Sequence, residues 1–436
     1  MIQQREQQIN YEEFADLRPI QDMENHRPTI AYIAQFFPIL TETFVYREVN
    51  ALREQGYDVV TLANRTPDMN KLSQESLVLM DTTEYVFPLQ LFAFLFAHLY
   101  FIFNCPKQYV STLWTVMSQQ DESWDNRRRT LGHFGGGVYL AHRVRNQQIQ
   151  HIHAHFSVNA ATIGLVIARL LNISYSFTVH NNIFTDRLIL REKLRAAKFI
   201  ISISEYSRRF LVDYAPEIPD LEDKISIVRC GIAPDQFIPE RNISADSERP
   251  PHIVSLSSLT ERKGMPMLVE ACRILRDRGV PFTCTIAGDG PQRALLEQKI
   301  GDYELENHVR LAGRYFQEEI RDYLNNAHVF ALACVTASNG DIDGVPVALM
   351  EAMAMKVPTV STYVSGIPEL IDHEISGLLV PEQSPEELAD AIERLLDDQP
   401  FANALATEAR EKVTREFNLD NSAQQLISLF DQQIHS

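Results

Sequence analysis

Cysteine is scarce in this chain of 436 residues, and the five present are odd in number: Cys105, Cys230, Cys272, Cys284 and Cys334. No C-x-x-C pair occurs among them. That excludes a disulfide framework and a cysteine-based zinc site, and leaves reduced thiols in a cytoplasmic protein as the simplest account. An apolar leader is lacking too. Residues 1–27 are polar and glutamine-rich and read as a loose tail. Long hydrophobic runs are missing with one partial exception, Leu89 to Phe103, reading LQLFAFLFAHLYFIF. This run is short for a spanning helix and contains Gln90 and His98. A buried or groove-lining helix and a helix lying in a membrane interface both fit it, and a span would split the surrounding domain.

An excess of basic charge is also absent. Lys and Arg number 40 against 58 Asp and Glu, a net charge of -18, which argues against a nucleic-acid partner. The deficit is uneven. Residues 250–436 hold 15 basic and 29 acidic side chains, whereas residues 85–210 hold 14 basic and 6 acidic, a net of +8. Such an island reads as a surface facing phosphates or an anionic membrane at the inner face of the cell, or as a solvated face paired with acids elsewhere.

What is present is a globular composition, 45% hydrophobic and 22% charged, long enough for two domains. Ile30 to Ala34 reads as a strand, Thr43 to Gln55 as a helix ending at Gly56, and Asp58 to Ala63 as a second strand. Strand, helix and strand at this spacing make a parallel βαβ unit. His151 to His155, Ser176 to Val179 and Phe199 to Ile203 read as further strands. Residues 238–251, ending in two prolines, read as a linker. Beyond it the pattern restarts with strands at Ile253 to Leu256, Phe282 to Ala287, Val309 to Ala312, Val329 to Ala333, Thr359 to Ser361 and Leu378 to Val380. The expected fold is α/β: two Rossmann-like, doubly wound domains facing across a cleft. A loose tail covers 1–27, one Rossmann-like domain 28–245 and a second 246–415. The last segment, 416–436, is a helix packing back toward the first domain.

The richest stretch is Asn339 to Leu370. Pro346 suits the first position of a helix, and the free amides from Val347 and Ala348 onward form an anion site. Asp343 precedes that helix and Glu351 lies within it, an odd residue to bury among Ala, Met and Leu. Both carboxylates can accept hydrogen bonds from sugar hydroxyls; a solvent-facing Glu is the plainer alternative for Glu351. Upstream, Arg262, Lys263 and Gly264 sit at a strand-to-helix turn, where two cations can neutralise a diphosphate and glycine allows close backbone approach. Gly288 and Gly290 stand in a tight turn after another strand. His180 falls at a strand end. His151, His153 and His155 share one strand face, a pattern open to zinc, although no further ligand set accompanies it. Asp341 and Asp343 spell D-x-D, read here as coincidental, so no metal is expected. Thr41 and Glu42 either cap the helix at 43 or touch an acceptor.

These residues carry a resemblance. Gly344, Pro346, Leu349, Glu351, Ala352, Met353 and Ala354 are similar to the signature of retaining glycosyltransferase family 4, which has the GT-B fold. The segments FPILTETFVYRE, with Pro38, Thr41 and Glu42, and HAHF, with His155, resemble its exopolysaccharide-type members. The resemblance implies that Glu351 binds the donor ribose and that Asp343 meets the transferred sugar near its anomeric carbon. It implies that Arg262 and Lys263 hold the phosphates, that Gly288 and Gly290 border the base, that Gly366 and Ile367 line the donor side, and that His180 lies by the sugar. The implied activity is transfer from a UDP- or GDP-sugar to a glycan or lipid-linked acceptor with retention and without a cofactor. A phosphorylase on the same fold and a degenerate sugar-nucleotide-binding protein are the alternatives. Departures from the family pattern are Asp343 for Glu, Lys356 for Gly and Ser258 for Gly.

Overall fold

Runs of β-branched and aromatic residues, such as TIAYIAQF, alternate with helical segments, and their strands are buried on both faces, as parallel sheets sandwiched between helices require. The computed structural model describes residues 27–38, 43–67, 79–119, 122–240 and 250–434. Within them the first sheet contains β1 (Thr29–Phe36), β2 (Asp58–Arg65), β3 (Thr83–Phe87), β4 (His151–His155), β5 (Ser174–Val179), β6 (Phe199–Ser202) and β7 (Ile225–Ile227), in the order β3-β2-β1-β4-β5-β6-β7. The second contains β8 (His252–Leu256), β9 (Thr283–Ala287), β10 (Val309–Gly313), β11 (Val329–Ala331), β12 (Thr359–Thr362) and β13 (Leu378–Val380), ordered β10-β9-β8-β11-β12-β13. Every pairing is parallel. Both sheets are therefore doubly wound, and each has one switch point, between β1 and β4 and between β8 and β11.

The edge strands β3 and β7 were not anticipated. β7 has only three residues, too few for a period-2 signal to stand out. β11 ends at Ala331, two residues before the expected Ala333, because the chain leaves the sheet there to build the loop described below.

The two halves are laced together where two segments cross. Ile232 donates its amide to Phe417 O at 2.9 Å, and Leu419 donates to Ile232 O at 2.8 Å. The terminal helix Leu419–Ile434 then returns to the first sheet. Leu426, Ile427 and Phe430 join Ile30, Tyr32, Val49 and Phe199 in one buried cluster. Truncating a fully buried phenylalanine such as Phe430 to alanine costs about 3–5 kcal/mol.

The apolar run forms the helix Leu91–Asn104, and the buried alternative does not hold. Only Ala97 and Phe101, four residues apart on one stripe, are buried. Phe92 is 89% exposed and Phe103 78%, with Leu91, Leu95, Phe96, Leu99 and Ile102 also outward. Val110 and Trp114 on the next helix, Pro106–Met117, extend the same kind of surface, as do Trp124 and Leu131 on the helix Trp124–Val144. Among the described residues no helix is long and apolar enough to cross a membrane.

Candidate functional site

At the switch point of the second sheet the segments leaving β8 and β11 diverge, and ligands of open α/β sheets bind in such a crevice. Here the two segments are tied side by side. Val335 donates its amide to Arg262 O at 3.0 Å, and Ser338 donates its amide and hydroxyl to the Glu261 carboxylate at 2.8 and 2.9 Å. Gly264 stands between them with φ +63°, where an added Cβ would lie 1.7 Å from Ala333 O. Gly288 has φ +138°, and a Cβ there would lie 1.7 Å from Ser257 O. Gly290 similarly crowds Leu259, so the glycine turn after β9 rests against the segment leading to Arg262. Only glycine combines these torsions with these approaches.

The charged residues of this crevice meet one another. Arg262 Nη1 donates to Asp341 Oδ2 at 2.6 Å, and its Nε lies 3.8 Å from Asp343 Oδ1. Lys263 Nζ donates to Asp343 Oδ2. Two cations and two carboxylates thus form a mutually neutralised cluster whose inner pair, Lys263 and Asp343, is the more buried. Asp341, read from the sequence as a chance neighbour, is the partner of Arg262. The Cys334 thiol lies 4.0 Å from Asp343 and is pushed up to about 12, first by burial and then by that carboxylate.

The helix Val347–Ala354 begins just after this loop. Pro346 occupies the flanking N-cap position, one residue before its expected place, and no side chain caps the helix. The first amides, including those of Val347 and Ala348, have no carbonyl a full turn earlier in the helix and point toward its N-terminal end. Glu351 is buried, not solvent-facing, at 6% exposure. Gly366 packs against the segment preceding this helix: an added Cβ would lie 2.8 Å from Val345 Cγ2 and 3.1 Å from Ser204 Cβ. Ile367 is buried beside it.

Ser204 belongs to the other half, just past the carboxyl end of β6. The loops at the carboxyl ends of both sheets therefore meet. Glu369 accepts hydrogen bonds from the amides of Glu205 at 3.0 Å and Tyr206 at 2.9 Å, the first residues of the helix Glu205–Tyr214, and lies 3.6 Å from Arg229 Nη2.

In the first sheet, Pro38 is buried just beyond β1, His155 ends β4 and His180 follows β5. The last two are brought together, with Nε2 to Nε2 at 2.9 Å. Burial holds His180 down to about 3, so its ring is neutral near pH 7. His151 lies within 2.7 Å of the hydroxyls of Ser174 and Ser176, and His153 within 2.9 Å of those of Ser176 and Thr178. Phe199 and Phe430 pack against both rings. These two histidines belong to the core. Among the described residues no group of three or more His, Cys, Asp or Glu is placed to hold a metal. Thr41 and Glu42 lie outside the described residues.

Sequence reasoning missed Glu48, whose carboxylate accepts from Tyr32 Oη and lies 3.6 Å from His155 Nδ1. A signal was available. Glu48 stands three residues after Val45 and four before Leu52, on the buried stripe of its helix, Thr43–Glu54.

Comparison with known proteins places this geometry. Residues 120–236 match the model of Glycosyltransferase Family 4, and residues 237–412 match that of Glycosyl transferases group 1. Amylovoran biosynthesis glycosyltransferase AmsK of Erwinia amylovora is 42% identical over 48% of this chain and 51% of its own length. The putative colanic acid biosynthesis glycosyltransferase WcaL of Escherichia coli is 41% identical over the same shares. The match thus spans about half the length of these curated relatives. Among solved structures, sucrose-phosphate synthase from Thermosynechococcus elongatus aligns with a TM-score of 0.68 at 19% identity, over 93% of this chain and 99% of that one. Anabaena HepE in complex with UDP aligns with a TM-score of 0.67 at 15% identity, over 93% and 100%. Two doubly wound sheets joined at their carboxyl edges give the chain the GT-B fold, and its two parts match, in tandem, the models of Glycosyltransferase Family 4 and Glycosyl transferases group 1.

Proposed function

We propose that the protein transfers a sugar from a nucleoside-diphosphate sugar to a lipid-linked glycan in surface polysaccharide synthesis, with retention of anomeric configuration. The observation that carries this reading is the convergence of Arg262, Lys263, Asp343 and the open end of the Val347–Ala354 helix at one switch point. In this reading the second half, residues 246–415, takes the donor. Diphosphate oxygens replace Asp341 and Asp343 as partners of Arg262 and Lys263 and accept from the amides of Val347 and Ala348. Glu351 accepts from the ribose hydroxyls, Gly288 and Gly290 border the base, and Asp343, released from Lys263, turns to the sugar. Gly366 and Ile367 close the donor side. The cations and amides stabilise the departing nucleoside diphosphate, and the acceptor hydroxyl attacks from the face it leaves. No metal is required, because fixed cations supply the charge. The first half, residues 28–245, takes the acceptor between Pro38, Thr41, Glu42 and His155, with His180 beside the sugar. The substrate class is supported by the amylovoran and colanic acid names of the relatives.

A bilayer as the source of the acceptor is supported by the outward apolar face around Phe92, Phe96, Phe103, Trp114 and Trp124, a pattern of aromatics suited to a headgroup interface. No acidic residue lies between Glu84 and Asp121, and the exposed Lys107 and Arg128 flank this face. The 91–104 helix starts four residues past the carboxyl end of β3, so the face begins at the cleft-side edge of the sheet. The reading is tested by incubating the protein with UDP- and GDP-sugars and a lipid-diphosphate glycan and following the product's anomeric configuration by NMR. An inverted product would overturn retention. Turnover that requires inorganic phosphate would favour a phosphorylase, and donor binding with neither transfer nor hydrolysis would favour a degenerate binding protein.

A further inference from the structure

Glu48 is an acid on the buried stripe of the Thr43–Glu54 helix, and nothing in the donor chemistry uses it. Its carboxylate, which keeps 18% of its surface, meets Tyr32 of β1 and His155 of β4, and His155 in turn meets His180. Four side chains from separate elements therefore make one row, running from the Thr43–Glu54 helix past the carboxyl end of β4 to the residue that follows β5.

The row constrains protons. His155 and His180 are both buried, and burial drives both rings toward the neutral form, so each carries one ring proton. A contact of 2.9 Å between two Nε2 atoms needs one proton between them, not two and not none. There are two ways to place it. Burial raises the Glu48 carboxyl to about 7, so at pH 8 it is ionised; there, if His155 donates, its Nδ1 is bare and turns a lone pair toward the carboxylate, which is repulsive in a low-dielectric site. If His180 donates from Nε2, His155 carries its proton on Nδ1, facing Glu48 at 3.6 Å. That distance is long for a hydrogen bond, but the charge-dipole attraction still favours this arrangement. Tyr32 donates to the same carboxylate and holds it in place.

We infer that Glu48 is a positioning residue: acting through His155, it holds His180 in the tautomer with the proton on Nε2, directed inward, and with Nδ1 as the hydrogen-bond acceptor. Only the consequence for turnover rests on the proposed placement of His180 beside the transferred sugar. A bare Nδ1 accepts a hydrogen bond from a sugar or acceptor hydroxyl, whereas the other tautomer would present a donor there.

The test is nitrogen-15 NMR of histidine-labelled full-length protein at pH 8, read through the two-bond couplings that assign each ring's protonated nitrogen. His180, assigned by its loss in His180→Asn, should be protonated on Nε2 in the wild type. The tautomer should reverse or become mixed in Glu48→Leu and persist in Glu48→Gln, whose amide oxygen still accepts from Nδ1–H. Thermal melting checks that each variant is folded. A wild-type His180 protonated on Nδ1, or a folded Glu48→Leu with its tautomer unchanged, would overturn the inference. Donor hydrolysis is measured in parallel. Turnover should fall about tenfold or more in Glu48→Leu with little change in KM, because a misplaced histidine tautomer strongly impairs catalysis, and Glu48→Gln should restore it. A tautomer that shifts while turnover stays constant would instead remove His180 from the proposed sugar site and leave the Glu48 inference standing.

Discussion

Glu369 and Tyr206 lie 163 residues apart and in different halves of the molecule, yet the Glu369 carboxylate accepts the Tyr206 amide at 2.9 Å and the Glu205 amide at 3.0 Å. A carboxylate at a helix N-terminus satisfies amides that have no helical partner and complements the helix dipole. Glu369 does this across the junction, so it joins the halves in the arrangement seen here.

Removing that cap should loosen the junction. Glu369→Ala is expected to lower stability by about 1 kcal/mol, within the range for lost N-caps, and to widen the ensemble in small-angle X-ray scattering. Glu369→Gln should fall between the two. An unchanged melting temperature and scattering profile for Glu369→Ala would show that the cap does not hold the halves together.

The neutralised cluster at the second sheet's switch point makes opposed predictions for its members. Arg262→Ala should weaken UDP or GDP binding by about tenfold or more, since hydrogen bonds to charged groups contribute roughly 1.5–3 kcal/mol. Asp341→Asn should tighten it severalfold, because it removes the carboxylate that competes with phosphate for Arg262. Calorimetric titration at fixed ionic strength reads both. Weakening by both variants would mean that Asp341 orients Arg262 more than it competes.

Acid should destabilise the fold early. Burial holds His151, His153, His155 and His180 below the ordinary histidine range. Their folded values are depressed, so the stability they contribute is present above the unfolded value near pH 6.5 and is lost as pH falls below it. Glu48 acts in the opposite sense. Burial raises its carboxyl to about 7, which favours the fold as pH falls and offsets one histidine. These five groups together take up a net of up to about three protons on unfolding, or ~4 kcal/mol per pH unit at most; His133, held down to about 4 mainly by burial, acts in the same sense as the four histidines. Calorimetric melting at pH 7.5 and 5.5 should show a large drop in Tm. A flat profile would mean that these rings are already charged in the native state.

The apolar face yields a separable outcome. Phe92→Asp with Phe96→Asp should abolish sedimentation with vesicles containing anionic lipid, while stability changes little, because both side chains are outward in the folded chain. Donor hydrolysis should persist and transfer to a bilayer-embedded acceptor should fall. If the wild type ignores vesicles and dimerises through this face instead, light scattering will report twice the monomer mass.

Much of this architecture could be read from the sequence because its signals are local. Periodicity marked most strands, glycines placed just after strands marked the turns at Gly264 and Gly288, and the spacing of Gly344, Pro346 and Glu351 marked the Val347–Ala354 helix. What escaped depended on distant pairing. Nothing local to Asp341 indicates that Arg262, 79 residues earlier, is its partner. Nothing near Glu369 indicates a helix from the other half. Likewise the LQLFAFLFAHLYFIF run has nearly the same character whether it is buried or outward, since hydrophobicity without periodicity does not say which face is covered.

The most direct test of the account is donor binding at the second sheet's switch point. Saturation-transfer NMR against UDP-, GDP- and ADP-sugars, with donor hydrolysis followed in the wild type and Glu351→Ala, should identify one nucleotide sugar that binds and whose slow hydrolysis disappears in the variant. If no nucleotide sugar binds, or if hydrolysis continues unchanged without Glu351, the assignment of the Arg262–Glu351 crevice as the donor site is contradicted.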